Sequence, residues 1–262
     1  MSLQSKLSGL SSSLRFENRI QLILDRIFFR GTRFVPHRLN NIDFIADQKG
    51  GDECGLRPCL VEGMYDPFLE AVGVLNSARP LNVADLGANA GGFALIFATR
   101  GIPIRKIVAV EMNPLTYSRM RLNVLTAYGP RAKTINAAIS AESGALDVPF
   151  NFGSTGESVA NSYGVKEGTF RIRAITFDEF YEEEFKGETV DIAKVDIEGS
   201  EWSMVDSGTC QHLRSCRFII VEVHPDKVRD ITQFEAALRP FGFKLLEVRN
   251  KRENDVFCFA QG

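Results

Sequence analysis

Histidine, tryptophan and long apolar runs are all scarce in this chain of 262 residues, which contains three histidines and one tryptophan. No apolar run approaches the roughly 20 residues that a membrane-spanning helix needs, so no membrane span is expected. Lysine and arginine total 31 and aspartate and glutamate total 33, for a formal net charge of -2. Because this balance offers no large cationic surface for phosphates, nucleic acid is not expected as a partner.

The five cysteines are too few and too scattered for a disulfide framework. They are Cys54, Cys59, Cys210, Cys216 and Cys258. An odd number of dispersed thiols is typical of a reducing compartment, and no apolar leader precedes residue 20, so we predict a cytoplasmic protein. Structural zinc is not expected, because Cys54 and Cys59 have no second close pair of cysteines or histidines to complete a tetrahedral site.

The first 60 residues differ in pattern from the rest of the chain. Residues 14–30 place apolar side chains near one face, which predicts an amphipathic helix, whereas residues 31–59 carry Gly, Pro and Asp clusters and indicate a loop. We therefore predict an N-terminal extension, helical and loop, over residues 1–60. Acidic Glu17 and Asp25 interrupt the positive face of the helix, so docking on the main domain or in a homodimer is favoured over a membrane surface.

From about residue 81, short β-branched runs alternate with helical stretches. The main strands are expected at residues 81–86, 106–111, 132–139, 190–197 and 218–223, with a final antiparallel pair at 242–248 and 255–260. Near-continuous apolar strands of this kind are typical of a parallel sheet covered on both faces. The pattern predicts an α/β, Rossmann-like, doubly wound fold over residues 61–262.

An interruption separates the third and fourth main strands. Residues 145–151 and 168–176 indicate an extra hairpin or edge strands. Between them, residues 153–167 are polar and rich in Gly and Ser. This segment fits a surface loop and a lid over a substrate equally well.

A glycine-rich segment follows the first main strand, at residues 85–93, where ligands of open α/β sheets bind. The dinucleotide fingerprint would require a glycine at Asn89, so close approach of a pyrophosphate is disfavoured. Asp85 would also oppose a pyrophosphate, but it suits an ammonium or a sulfonium, and S-adenosylmethionine carries both. Glu111 ends the second strand, where a carboxylate can accept hydrogen bonds from ribose hydroxyls.

Acidic side chains cluster after the fourth and fifth strands. Asp196, Glu198 and Glu201 follow the fourth strand, and Glu222 and His224 close the fifth. We expect Asp196 to point into the cleft, whereas Glu201 also fits a helix-capping role. The reference pKa of histidine makes His224 the natural candidate base. A divalent metal held by the carboxylates stays open, since oxygen-rich sites suit magnesium or calcium, although no ligand spacing requires one.

Several segments resemble FkbM-type methyltransferases. They are VADLGANAGGFALIF, VAVEMNP, NAAIS, KVDIEGSE and VEVHP. These enzymes depend on S-adenosylmethionine and mostly O-methylate sugar or polyketide hydroxyls. The resemblance covers roughly residues 60–262, and it implies a seven-stranded sheet whose last strand is antiparallel.

The resemblance also implies roles for individual residues. The methionine part of the cofactor would be lined by Asp85, Gly87, Ala88, Asn89 and Gly91, the ribose by Glu111, and the adenine by Met112, Asn113 and Ala137. Asp196 would lie near the methyl group, with Glu198, Glu222 and His224 around the acceptor. The candidate catalytic residues are His224, Asp196 and Glu198.

Together these patterns predict a methyltransferase that modifies a hydroxyl on a sugar, glycan or small natural product. The sequence DIEG follows the fourth strand, in place of the Asn-Pro-Pro-Tyr type of signature expected for amino groups of nucleic acid bases, and this favours oxygen. A nucleotide-dependent oxidoreductase on a Rossmann sheet stays an alternative. So do a methyltransferase acting on nitrogen or protein and a binding module without activity.

Overall fold

The computed structural model describes residues 14–28, 33–48, 51–149, 169–224, 229–248 and 255–262. The predicted loop at 153–167 and the proline at 225 lie outside these residues. The strands of the described part are β1 Phe34–Leu39, β2 Ile42–Asp47, β3 Leu81–Leu86, β4 Ile104–Glu111, β5 Ala132–Ile139, β6 Gly144–Pro149, β7 Thr169–Ile175, β8 Val190–Val195, β9 Cys216–Glu222, β10 Phe243–Leu246 and β11 Val256–Gln261. Its α-helices are α1 Arg19–Phe28, α2 Asp52–Arg57, α3 Asp66–Ala71, α4 Gly92–Thr99, α5 Pro114–Tyr128, α6 Phe177–Glu184, α7 Glu201–Asp206 and α8 Ile231–Leu238.

Nine strands form the central sheet, in the order β10-β11-β9-β8-β3-β4-β5-β7-β6. The six strands from β9 to β7 in this order run parallel, and β11 pairs antiparallel with both β9 and β10. The predicted α/β doubly wound fold with an antiparallel last strand is therefore confirmed. The sheet has two strands beyond the expected seven, because the predicted hairpin of β6 and β7 joins its edge through β5.

The strand order reverses between β3 and β8. The chain runs from β3 outward to β4 and β5, and it later returns to place β8 on the other side of β3. A reversal of this kind leaves a crevice at the carboxyl ends of the two strands, because the connections leave in opposite directions. The glycine-rich segment and the acidic cluster follow these two strands.

Both faces of the central strands are buried, which explains their mainly apolar sequence. Ala84 and Leu86 pack in one cluster with the aromatic side chains of α6, whereas Val83 packs in the opposite cluster with Phe93 and Phe97 of α4. Successive residues of a strand alternate between faces. Asp85 therefore lies on the same face as Val83, beneath α4.

The prediction of a loop over residues 31–59 is wrong for the part that the structure describes. β1 and β2 form an antiparallel hairpin there, and α2 follows it. Alternate residues of the hairpin are buried, and the turn consists of Asn40 and Asn41, both with the positive φ that asparagine tolerates. Pro36 makes β1 difficult to recognise from the sequence, because a proline in a short apolar run normally argues against a strand. His37, which was expected in a loop, is buried in β1 and stacks on Phe44.

The predicted amphipathic helix is present as α1, which covers residues 19–28 of the predicted 14–30. Its Leu22 packs in a cluster with Val35 of β1 and Leu95 of α4. On its other side, Ile20 and Phe28 are exposed by 71% and 70%. None of the helices in the described ranges has the length and hydropathy that crossing a bilayer requires. The proposed division into residues 1–60 and 61–262 stays a prediction.

Candidate functional site

A cavity of about 300 Å³ lies at the carboxyl ends of the central strands, in the crevice between β3 and β8. Its side chains come from the loop between β3 and α4, from the ends of β4, β5, β8 and β9, and from the segment 55–65. Small-molecule sites in α/β folds occupy this position, and their volumes begin at about 300 Å³. The location therefore fits a site for a small ligand.

Ten of the residues proposed from the sequence line this cavity. They are Gly87, Ala88, Asn89, Glu111, Met112, Asn113, Ala137, Asp196, Glu198 and Glu222. The other three, Asp85, Gly91 and His224, lie behind its wall or beside it. The roles given to all thirteen stay predictions, but the structure brings ten of them to one surface.

Asp85 is fully buried beneath the first turn of α4. Its Oδ2 accepts a hydrogen bond from the backbone N–H of Ala94 at 3.2 Å, and its Oδ1 lies 3.7 Å from Nζ of Lys194. Burial raises the pKa of this carboxyl to about 6. In this arrangement Asp85 anchors the helix and the lysine that shape the cavity, and its own carboxylate does not reach the cavity surface.

Two glycines of the loop combine a positive φ with a close neighbouring atom. Gly87 has a φ of +73°, and a Cβ at this position would lie 1.7 Å from the carbonyl oxygen of Asp196. Gly91 has a φ of +91°, and its Cβ would lie 3.0 Å from Val124. The close approach that Gly87 permits is therefore between the loop after β3 and the loop after β8, and it closes the floor of the cavity.

Glu111 joins two loops at the edge of the cavity. One carboxylate oxygen accepts the backbone N–H of Asn89 at 2.9 Å, and the other accepts that of Asn113 at 2.8 Å. Burial raises the pKa of Glu111 to about 7, in spite of these two hydrogen bonds. Each oxygen keeps a further lone pair, so the carboxylate can still accept hydrogen bonds from a ligand.

Lys194 was not assigned a role from the sequence, although it is the one charged side chain that β8 carries next to the cavity. It is buried, donates to the carbonyl of Gly87 at 2.6 Å and lies 3.0 Å from Oδ2 of Asp196. Burial lowers the pKa of the lysine, but the carboxylates of Asp196 and Asp85 outweigh burial and raise it. A lysine near the end of a mainly apolar strand that leads to a ligand crevice was the available signal.

His224 lies between two carboxylates beside the cavity. Its Nε2 is 3.1 Å from Oε2 of Glu198, and its Nδ1 is 3.2 Å from Oε1 of Glu201. The hydrogen bonds to Glu198 and Glu201 raise the pKa of the imidazole to about 11. Glu201 also accepts the backbone N–H groups of Ile197 and Gly199, so it organises the loop after β8 as well as the histidine.

The ligand atoms of Asp196, Glu198 and His224 lie within 4.8 Å of one another, which is close enough to surround a metal ion. Each of them already has a partner of opposite charge. Asp196 is paired with Lys194, and His224 with Glu198 and Glu201. These contacts satisfy all three side chains without a metal, and a metal at His224 would have to displace a proton of the imidazole, so we assign none to this cluster.

The N-terminal segment supplies a wall of the cavity that the sequence did not indicate. Gly55, Pro58 and Cys59 line it on this side. Asp52 of α2 holds the segment in place through a buried, bidentate ion pair with the guanidinium of Arg119 in α5. The two nitrogen–oxygen distances are 2.6 and 2.8 Å. No local pattern predicts this wall, because the two partners lie 67 residues apart.

Shifted pKa values at this site predict that the stability of the ligand-free protein falls with rising pH. Glu111, Glu222 and His224 all have a raised pKa in the folded state, to about 7, about 7 and about 11. Each group then binds its proton more tightly when folded, so its contribution is complete below the unfolded pKa and is lost as pH rises through the folded value. We expect the melting temperature to fall from about pH 6 to about pH 10.

Calorimetric melting across this pH range checks the expectation. The Glu222→Gln variant should flatten the part of the curve below about pH 7, and His224→Asn the part above it. A His224→Asn protein that loses as much stability as the wild type above neutral pH would contradict the assignment of this loss to the histidine.

Comparisons with known proteins give distant structural neighbours. A SAM-dependent methyltransferase from Agrobacterium tumefaciens aligns with a TM-score of 0.48 and 13% identity, covering 88% of this chain and 70% of that chain. Magnesium protoporphyrin IX methyltransferase from Synechocystis PCC 6803 aligns with a TM-score of 0.46 and 10% identity, covering 83% and 86%. A human methyltransferase 10 domain containing protein aligns with a TM-score of 0.45 and 10% identity, covering 76% and 82%.

No protein of curated function matches the sequence. The sequence model of one family does match, and its description is methyltransferase FkbM domain. The match spans residues 85–245, which is more than half of the chain and includes the glycine-rich loop, Glu111, the acidic cluster and His224. The chain therefore belongs to the FkbM methyltransferase domain family.

Proposed function

We propose that this protein transfers the methyl group of S-adenosylmethionine to a hydroxyl of a sugar, glycan or other small molecule. The observation that carries the proposal is the position of Glu111. Its carboxylate lines the cavity at the end of β4, directly beside the glycine-rich loop, and keeps lone pairs for a ligand. A carboxylate at this strand end is where the ribose of a nucleoside cofactor is expected to bind.

The other parts of the cavity fit the cofactor as well. Met112, Ala137 and Ile139 give an apolar lining on one side of Glu111, which suits an adenine ring. On the other side, three carboxylates, those of Asp196, Glu198 and Glu222, outnumber the single cation Lys194, and this excess of negative charge suits an ammonium and a sulfonium. Carboxylates there oppose a pyrophosphate, so the same lining disfavours a dinucleotide.

When bound, S-adenosylmethionine supplies a methyl group on a positively charged sulfur, which is a good leaving group. The chain must then hold the acceptor oxygen in line with that methyl, and positioning of this kind can be worth effective molarities of about 10⁵ to 10⁸ M. Asp196 and Glu198 line the cavity where such an acceptor would lie, and their oxygens can accept hydrogen bonds from its hydroxyls. The wall formed by Gly55, Pro58 and Cys59 keeps water from that side of the cavity.

The Glu111→Gln variant tests the cofactor site. A glutamine offers one oxygen and one NH₂ group, so one of the backbone N–H groups of Asn89 and Asn113 would face another donor. The loss of that bond and of the bond to the ribose should weaken S-adenosylmethionine binding about 100-fold. Isothermal titration calorimetry measures the change.

The matched control is Glu70→Gln, an exposed glutamate on α3 that lies outside the cavity lining. It should bind S-adenosylmethionine like the wild type. Equal affinity of the Glu111→Gln and Glu70→Gln proteins would remove the support for a ribose site at Glu111.

A further inference from the structure

Glu222 ends β9 and lines the same cavity as Asp196 and Glu198. Its side chain is half-buried, and among the described residues it takes part in no hydrogen bond or ion pair. The carboxylates around it are all engaged, Asp196 with Lys194 and Glu198 with His224. Glu222 therefore has both oxygens available to whatever occupies the cavity.

His224 is less suited to take up a proton. Its two ring nitrogens each face a carboxylate oxygen, at 3.1 Å and 3.2 Å, and both contacts are hydrogen bonds only if both nitrogens carry a proton. An imidazole in that state has no lone pair with which to act as a base. A neutral His224 would have to lose a hydrogen bond to Glu198 or Glu201.

Resting on the proposed methyl transfer, we propose that Glu222 is the catalytic base that receives the proton of the acceptor hydroxyl. In this step a lone pair of the acceptor oxygen forms the new bond to the methyl carbon, and the electron pair of the breaking carbon–sulfur bond stays on sulfur. The proton of the hydroxyl moves to a carboxylate oxygen of Glu222 and leaves to solvent after product release.

The surroundings of Glu222 adjust its affinity for protons. Burial and the carboxylates of Asp196 and Glu198 raise its pKa, and Lys194 and His224 oppose them, for a value of about 7. A base works best when its pKa is near the working pH, because it is then ionised and still holds the proton that it accepts.

Two further titratable groups, both from the N-terminal segment, lie within electrostatic range of Glu222, and its charge raises their pKa. They are the thiol of Cys59 and the phenol of Tyr65. Burial raises the pKa of both, to about 12 for Cys59 and well above the ordinary value for Tyr65. Both stay neutral near pH 7. The charges that shift the pKa of Glu222 therefore come from groups on β8, β9 and the loops that follow them.

Infrared difference spectroscopy of the whole protein, titrated between about pH 5 and 9, tests the proposal. The wild type should show the C=O band of a protonated carboxyl that disappears near pH 7, and Glu222→Gln should remove part of this band. Glu111→Gln is the matched control, because Glu111 titrates in the same range but lies at the other end of the cavity. This variant should keep the part of the band that belongs to Glu222. NMR of the histidine side chains should show His224 with both nitrogens protonated throughout the range.

A second measurement concerns the charge that Glu222 directs into the cavity. The Glu222→Gln variant should lose about tenfold in affinity for S-adenosylmethionine at pH 8, where the wild-type carboxylate is ionised, because that ligand carries a positive sulfur. Its affinity for S-adenosylhomocysteine, in which the sulfur is neutral, should change much less. A Glu222→Asp variant should keep the preference for the charged ligand.

The proposal is overturned if Glu222 stays ionised over the whole range and His224 loses a proton near pH 7. It is also overturned if Glu222→Gln changes the affinity for the two ligands equally. Either result with S-adenosylmethionine still bound by the wild type would leave the methyltransferase proposal standing. Absence of any binding would instead contradict that proposal.

Discussion

Replacement of Gly87 by alanine is expected to destabilise the protein by at least about 4 kcal/mol. The added Cβ would lie 1.7 Å from the carbonyl oxygen of Asp196, and φ at this position is +73°. The contact involves two backbone segments, so no side chain can rotate away from it. The loops after β3 and β8 would have to separate, and the floor of the cavity would open. Chemical denaturation of the variant and the wild type measures the loss.

The control is Gly101→Ala, which separates backbone strain from the steric clash. Gly101 has a similar φ of +67°, but a Cβ there would meet no atom within 4 Å. It should cost only the roughly 1–2 kcal/mol of a left-handed alanine. If the two variants were equally stable, the close approach of Gly87 to Asp196 would not exist in solution.

Replacement of Asp52 by asparagine is expected to cost about 3 kcal/mol of stability, because it leaves the guanidinium of Arg119 buried and without its main partner. Asp52 binds that group through both oxygens. Asp47 lies 3.9 Å from Arg119 and compensates in part, which places the expected loss at the lower end for a broken buried pair. Since the pair holds one wall of the cavity, affinity for S-adenosylmethionine should fall too.

Asp43→Asn provides the matched comparison. Asp43 pairs with Arg38 at 3.1 Å, but both side chains are at least half exposed, so the loss should stay below about 1 kcal/mol. Denaturation curves and calorimetric titrations of both variants test the point. An Asp52→Asn protein with wild-type stability would show that the N-terminal segment is not anchored by this ion pair.

Much of the fold could be predicted from the sequence because its signal is local. β3 and β8 are buried on both faces, so their sequences are mainly apolar and their positions can be read from the chain, although the predicted strand at 190–197 runs two residues past the end of β8. The expected strands at 81–86 and 132–139 match β3 and β5 in full. The edge hairpin could be predicted from a local signal too, since its residues alternate between apolar and polar.

The features that sequence patterns missed depend on contacts between distant residues. The hairpin of β1 and β2 contains Pro36, and its burial comes from packing against α1 and α4. The wall at Gly55 and Cys59 depends on a partner in α5. Nothing in the local pattern indicates such contacts.

The candidate site also combines features that the sequence indicated with features that it did not. The strand ends indicated that Glu111, Asp196 and Glu198 would lie near one another, and all three line the cavity, because the carboxyl ends of parallel strands meet at one edge of the sheet. They did not show that Asp85 is fully covered by α4 or that His224 lies between two carboxylates. Those arrangements depend on side-chain packing, and they decide which groups can meet a ligand.

The methyltransferase proposal is tested most directly by a calorimetric titration of the wild-type protein with S-adenosylmethionine and, separately, with NAD. One S-adenosylmethionine per chain should bind and NAD should not, because the cavity combines a carboxylate suited to a ribose with an excess of carboxylates that opposes a pyrophosphate. Binding of NAD without binding of S-adenosylmethionine would contradict the proposal.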